Sequence, residues 1–457
     1  MTTNEQVLAE FVEATAIEHG VPGLAVGVWA DGQEVFACHG VTSVEDPLPV
    51  TPDTMFALGS VSKTATATAV LRLVVEGRLE LDAPVRRHVP ELVLADERAA
   101  ATITVLQLLN HTAGLGWRLN ADTGDGDDAL AAHVARMGEL ELIAPPGTRA
   151  SYSQEGYNLL GRVIEVVTGL TYERAVAELL FEPLGLAHSY YRPADVLTRR
   201  HTVGHEGTAV VRPLTDTRAN GPGGGLVSSA ADQLRWARFH LGDGAPILAA
   251  AMLRRMREPT VELRGSSLGD AFGLCWFLRD VDGVRTVGHG GSANGQFAEL
   301  ILVPERDFAV VSLVNGNPGG IPANRAVVRR VLDHHLGLVE RDPEPLPYDG
   351  AGAREVVGRY ATDILVLDVV DTGTGLTAAA YLKPEVRAAS EVDLPADVPP
   401  AGLGLLPGPG GEFVITDGAM VGLRGYFQRD EHGAVVAAEL AGRTHTRVRA
   451  GDPGGRT

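Results

Sequence analysis

Ser60 and Lys63 stand three residues apart in Phe56-Ala57-Leu58-Gly59-Ser60-Val61-Ser62-Lys63, where a helical pattern opens and runs on to Glu76. On a helix that spacing puts both side chains on one face, about one turn apart. A serine hydroxyl becomes an effective nucleophile only when a base takes its proton. A lysine can be that base if desolvation or a nearby positive potential lowers its pKa, and a helix N-terminus supplies such a potential. Arginine could not substitute, because it does not deprotonate in proteins. Of the 39 basic residues, 37 are arginine and only two are lysine, Lys63 and Lys383. A chain that uses arginine so heavily has kept lysine at a position where the chemistry asks for it.

Two more clusters could take part. Ser151-Tyr152-Ser153-Gln154-Glu155-Gly156-Tyr157 follows Pro145-Pro146-Gly147 and leads into a helical run. A tyrosine there either presents its phenol to a pocket or packs over the helix start. Val287-Gly288-His289-Gly290-Gly291-Ser292 reads as a strand. Glycine weakens a strand unless something must approach the backbone closely. Such an edge can bind an extended acyl chain and offer an N–H to an oxyanion.

Three patterns suggest other chemistry and are set aside. Gly265-Ser266-Ser267-Leu268-Gly269 matches a nucleophile elbow, with Asp280 and His289 following in order. It lacks the strand before and the helix after that an elbow requires. His201 and His205 lie outside any helical pattern and have no obvious third ligand, so they read as loop histidines. The stretch Asn120–Asp128 does not fit a calcium loop; it reads as a solvated loop near the pocket. No metal or other cofactor is expected.

The elements that must position these residues follow from periodicity. Val7, Leu8, Phe11, Val12 and Ile17 predict a helix over 4–19. Two strands flank Asp31-Gly32, a hairpin turn. Helices are expected near 62–76, 105–110, 155–168, 172–180, 230–241 and 322–336, and residues 272–314 are strand-rich. The fold class is therefore α+β, one mostly antiparallel sheet with helices packed on it. Residues 339–353 are rich in proline and acid and read as a linker between a catalytic domain, 1–338, and a second domain, 354–457. In the second domain short apolar runs broken by turn residues predict a small all-β barrel or sandwich. Tyr381 or Tyr426 is expected to shape one wall of the pocket.

The chain has 457 residues and a formal net charge of -19. That acidity excludes nucleic acid and anionic membrane as partners, since phosphate recruits basic patches. With 45% hydrophobic and 21% charged residues the composition is that of a globular protein. Cys38 and Cys275 make no disulfide framework and read as buried thiols in a reducing compartment. The first twenty residues carry four glutamates, no Lys or Arg and no apolar run, so no signal peptide is expected and a cytoplasmic location is.

Together and in this order, the three clusters resemble the serine β-lactamase and penicillin-binding-protein superfamily, nearest its class C-like branch of esterases, D-aminopeptidases and acyltransferases. Asn110-His111-Thr112-Ala113-Gly114-Leu115, Gly221-Pro222-Gly223-Gly224-Gly225-Leu226 and Phe272-Gly273-Leu274-Cys275-Trp276 are similar to further segments of that superfamily. The resemblance, over about residues 5–336, implies a β-lactamase/transpeptidase-like sheet with an all-helical subdomain. It implies Ser60 as the acylated nucleophile and Lys63 with Tyr152 sharing the proton transfers. The N–H groups of Ser60 and Ser292 would form the oxyanion hole, and Gln154, His289, Gly290 and Gly291 would bind substrate. Gln154 stands where the family usually has Asn, and His289-Gly290 where it has Lys-Thr. The second change weakens recognition of a substrate carboxylate. The implied function is a serine hydrolase acting on ester or amide bonds of a small-molecule or peptide substrate. An acyltransferase or peptide-cyclising thioesterase using the same acyl-enzyme is the alternative, and a non-catalytic binding or sensor protein a second one.

Overall fold

Gly23–Ala30 and Gln33–Gly40 form the expected antiparallel hairpin, and both turn residues, Asp31 (φ 52) and Gly32 (φ 74), are left-handed. Two consecutive positive φ values match the right-handed twist of the strands they join. This hairpin is one edge of an eight-stranded antiparallel sheet. Inward from it come Phe308–Val314, Gln296–Val303 and Val284–Ala293, then Phe277–Val281, Gly269–Phe272 and Val261–Ser266 at the other edge. The computed structural model describes residues 3–119, 121–140, 142–214, 216–242, 247–389, 397, 399–408 and 410–448.

Both faces of the sheet are covered, which explains why its strands read as near-continuous apolar runs. On one face Leu24, Val26, Val310 and Val314 pack against Val12 of the helix Thr3–Glu18 and Val327 and Val331 of Gly320–Leu336. On the other, Ala25, Leu300, Val311 and Leu313 meet the helices Ser62–Val75 and Ala230–Leu241 and the helical region beyond them. The helix Ser62–Val75 is buried all the way round over residues 62–71. Its threonines tolerate this by bonding inside the core: Thr64 Oγ1 donates to the Val61 carbonyl (2.8 Å) and Thr68 Oγ1 to the Thr64 carbonyl (2.7 Å).

Beyond the sheet the chain crosses in extended form to a short helix, Gly350–Val356, capped by the Asp349 carboxylate. Eight strands between Gly358 and Arg447 then close into a barrel, each paired antiparallel with its neighbours. Its core gathers Tyr360, Leu367, Phe413 and Phe427. The α+β reading and the barrel are thus both present. No helix among the described residues is long and apolar enough to cross a membrane.

Candidate active site

Ser60 sits in a single 3-10 turn, Gly59–Val61, that feeds directly into the helix beginning at Ser62. Ser62 holds this turn in place: its Oγ donates to the Gly59 carbonyl (2.6 Å) and accepts from the Leu226 N–H (2.8 Å). Ser60 itself is half-buried. Lys63, by contrast, is fully buried. Its Nζ lies 3.2 Å from Ser60 Oγ, 2.6 Å from Gln154 Oε1 and 2.6 Å from the Gly223 carbonyl oxygen. Burial pushes its pKa well below the ordinary lysine value; Cys275 and Glu155 pull against this, and the charges of Arg443 and Arg118 add to it. A neutral amine has two N–H donors and one lone pair. In that form the two 2.6 Å acceptors match the two donors and the lone pair is free for the serine hydroxyl, whereas in the ammonium form the third N–H donates to Ser60 Oγ.

Tyr152 precedes the helix Gln154–Thr168, whose N-cap is Ser153. Its ring centre is 4.9 Å from Lys63 Nζ and 4.5 Å from that of His111, the two rings tilted by 40°. Burial pushes the phenol above its ordinary pKa, with Ser60 and Arg443 holding back part of the rise. The hydroxyl makes no well-aligned hydrogen bond to any described group. Two groups whose pKa values burial drives in opposite directions therefore flank one hydroxyl, the amine downward and the phenol upward.

The strand Val284–Ala293 passes against the Ser60 turn. A Cβ on Gly59 (φ +52) would stand 2.6 Å from Ser292 N, and one on Gly291 would stand 2.9 Å from Ser60 N. The two glycines allow the Ser60 turn and the backbone at Ser292 to approach this closely. His289 is fully buried and stacks on Phe277 at 4.2 Å. Its Nδ1 donates to the Gly290 carbonyl (2.7 Å), so Nε2 is a bare acceptor, and it has no partner among the described residues. Burial, with Lys63 nearby, lowers the ring to about 3, so it carries no charge at neutral pH. A side chain at Gly290 would point away from His289, towards the Glu299 carboxyl.

Gln154 reaches Lys63 despite its extra methylene. The room comes from Gly223, where a Cβ would overlap the Gln154 amide. Sequence reading did not connect these two positions, although both lie in segments it singled out. It also missed His111 as a ring against Tyr152, and the chain of Asn220, Asp216 and Arg118 behind Gln154. The barrel's contribution lies elsewhere than expected. Tyr381 hydrogen-bonds Asp368 within the barrel, and Tyr426 meets Gln428 and Arg264. The barrel reaches the site through the hairpin tip Ala441–Arg443: the Gly442 carbonyl bonds the Tyr152 N–H, and the Arg443 guanidinium lies 4.1 Å from the Trp117 ring and 5.8 Å from that of Tyr152.

Of the set-aside patterns, the elbow-like one shares His289 with this cluster. Gly265–Gly269 runs from the end of one strand through Ser267 and Leu268 to the start of its antiparallel partner, where an elbow would need a helix. His205 is a buried tie between Val44 N–H and the Asn315 carbonyl. Asn120 lies outside the described residues, and no metal-binding group of His, Cys, Asp or Glu occurs among those described. The other lysine, Lys383, lines a cleft with Arg118 and Leu119.

A family model described as beta-lactamase matches residues 5–334. Over 320 residues the chain is 38% identical to penicillin-binding protein 4 of Amycolatopsis lactamdurans, covering 67% of this chain and 84% of that protein. It is 26% identical to protein flp of Staphylococcus aureus, covering 67% of this chain but only 63% of that protein's length. The crystal structure of SurE with D-Leu aligns with 98% of this chain and 100% of its own, at 28% identity and a TM-score of 0.75. A class C β-lactamase from Rhodobacter sphaeroides covers 72% of this chain and 99% of its own, at 27% identity and a TM-score of 0.60. Such relatives support a serine-hydrolase type of chemistry in general. With the family model spanning nearly the whole sheet-and-helix region, the chain belongs to the β-lactamase family.

Proposed function

We propose that this protein is a serine hydrolase that cleaves ester or amide bonds through an acyl-Ser60 intermediate. Lys63 takes the Ser60 proton as Oγ attacks the carbonyl carbon. The N–H groups of Ser60 and Ser292 hold the resulting oxyanion, and Tyr152 passes its proton to the leaving group and recovers one from the Lys63 ammonium. Water then attacks the acyl-enzyme, giving a proton to the same base, and that proton passes to Ser60 Oγ as the acid leaves. The observation that carries this reading is the 3.2 Å approach of Ser60 Oγ to the amine of a fully buried lysine. The intact trio of Ser60, Lys63 and Tyr152 argues against a purely binding or sensing role.

The neutral His289 offers no positive charge to a substrate carboxylate. Its bare Nε2 suits a hydrogen-bond donor instead, such as an amide N–H or a hydroxyl. This favours substrates other than β-lactams, whose carboxylate needs a cationic partner.

Acyl transfer to an amine is the second reading. It is favoured by the likeness to SurE, which extends over the barrel as well and whose structure was solved with D-Leu. One experiment tests both. The protein is treated with an activated ester or fluorophosphonate and mapped by mass, with Ser60→Ala as control. An adduct on any residue but Ser60, or none, overturns the acyl-enzyme. A pre-formed acyl-enzyme is then offered D-leucine amide in water. Release of free acid supports hydrolysis, and release of the acyl amide supports transfer.

A further inference from the structure

A line of polar side chains runs from the exterior to Lys63. Arg118 Nη2 is 2.9 Å from both carboxylate oxygens of Asp216. The same carboxylate accepts from Asn220 Nδ2 at 2.5 Å. Asn220 Oδ1 accepts from Gln154 Nε2 at 2.5 Å, and Gln154 Oε1 accepts from Lys63 Nζ at 2.6 Å. Arg118 and Asp216 are partly exposed, whereas Asn220 and Gln154 are only 7% and 6% exposed.

The order of groups gives this line one permitted polarity. Guanidinium only donates and carboxylate only accepts. Asp216 therefore demands the NH₂ end of Asn220, which turns the Asn220 oxygen towards Gln154. That oxygen demands the NH₂ end of Gln154, which turns the Gln154 oxygen towards Lys63. An unconstrained glutamine could equally present its NH₂ group to the amine. It would then donate to the lysine lone pair and take it from Ser60.

We infer that Asn220, Asp216 and Arg118 are positioning residues that lock the amide of Gln154 with its oxygen on Lys63, so that the lysine lone pair stays on Ser60. This rests on the acyl-enzyme reading above and adds a role for three residues outside the Ser60, Lys63, Tyr152 trio. It also explains how a glutamine with two near-isosteric amide ends can stand beside a base without ambiguity.

The test measures acylation of Ser60 by an activated ester across pH, for wild type, Asp216→Asn and the double variant that combines Asp216→Asn with Asn220→Asp. Asp216→Asn lets the line reverse. The plateau rate is expected to fall about 10–100-fold. The acid limb should move to lower pH, because an NH₂ group facing Lys63 disfavours its ammonium form. In the double variant the amide and the carboxylate have exchanged places. The amide now at position 216 can donate to the carboxylate now at position 220, and that carboxylate again accepts from Gln154. Rate and acid limb should then return towards wild type. A general loosening would instead admit water and move the acid limb upward, with no recovery in the double variant. That result, or an unchanged Asp216→Asn profile, overturns the relay while leaving the acyl-enzyme intact. Absence of any Ser60 adduct in wild type would overturn the underlying reading instead.

Discussion

The carbonyl oxygen of Gly442, at the tip of a barrel hairpin, accepts a hydrogen bond from the backbone N–H of Tyr152 at 2.7 Å. A residue far downstream in the chain thereby holds the phenol that faces Ser60. Gly442 has φ 77, and a Cβ there would overlap Leu268 and stand 3.4 Å from the Tyr152 Cβ. Gly442→Ala should therefore lift the hairpin from the site. A stability loss of about 1–3 kcal/mol in denaturant melts is expected, with a fall in kcat/KM of roughly tenfold. Unchanged turnover would show that the hairpin does not position Tyr152.

Lys63→Arg keeps the charge and removes the ability to deprotonate. Labelling of Ser60 by an activated ester should fall by at least about 10³. Tyr152→Phe should cost on the order of 10²–10⁴ in turnover while leaving the Ser60 adduct detectable by intact mass. An active Lys63→Arg enzyme would remove lysine from the role of base.

The pH profile follows from the opposed shifts. Activity needs Lys63 unprotonated and so rises with pH through a value well below 10.5. It needs Tyr152 protonated and so falls only above 10.0. The kcat/KM profile is expected to show an acid limb and then a plateau extending to at least pH 10.0. A decline beginning below that pH, with the fold intact by circular dichroism, would contradict the burial of the phenol.

Gln154 and Gly223 should behave as a coupled pair. Gly223→Ala alone drives a methyl into the Gln154 amide and is expected to lower turnover about 10–100-fold. Gln154→Asn shortens the side chain and opens that space. Combined with Gly223→Ala it should recover much of the loss, giving a coupling energy of about 0.5–3 kcal/mol in a double-mutant cycle. Strict additivity would mean the two positions do not share the space.

Glu439 lies on the first strand of the same barrel hairpin, 5% exposed, and neither carboxyl oxygen has a well-aligned partner among the described residues. Burial raises its pKa from 4.5 to about 8 against the pull of the Gly442 N–H and Arg443. The folded state then holds a proton that the unfolded state releases. Its favourable contribution is whole below pH 4.5 and is lost progressively as pH climbs to about 8. Glu439→Gln should be matched to wild type at low pH and gain on it across that window in thermal melts. Parallel curves would show that Glu439 is ionised in the folded protein.

Much of the fold was legible because its signals are local. The Asp31-Gly32 turn, the helix after Ser60 and the apolar runs of the strands each depend on neighbours within a few residues. The pairing of Ser60 with Lys63 was legible for the same reason, the two lying three residues apart across a 3-10 turn that runs straight into the helix. Gln154 was legible as a departure but not as a solved one, since the space it uses belongs to Gly223, 69 positions away. Arg443 left no signal at all: among 37 arginines nothing marks one on a barrel hairpin as facing Tyr152.

The amino-acid order by itself determined which groups could do chemistry: a serine and a lysine one helical turn apart, a tyrosine at a helix start and a glycine-rich strand. Functional-group chemistry and helical spacing are intrinsic to the chain and need no fold to be read. Only the tertiary structure decided the pKa shifts and the partners. Desolvation is what drives the Lys63 amine down and the Tyr152 phenol up, and it arises from packing between segments distant in sequence. The polarity of the Arg118–Asp216–Asn220–Gln154 line and the seat of the hairpin on Tyr152 likewise exist only once the chain has closed on itself.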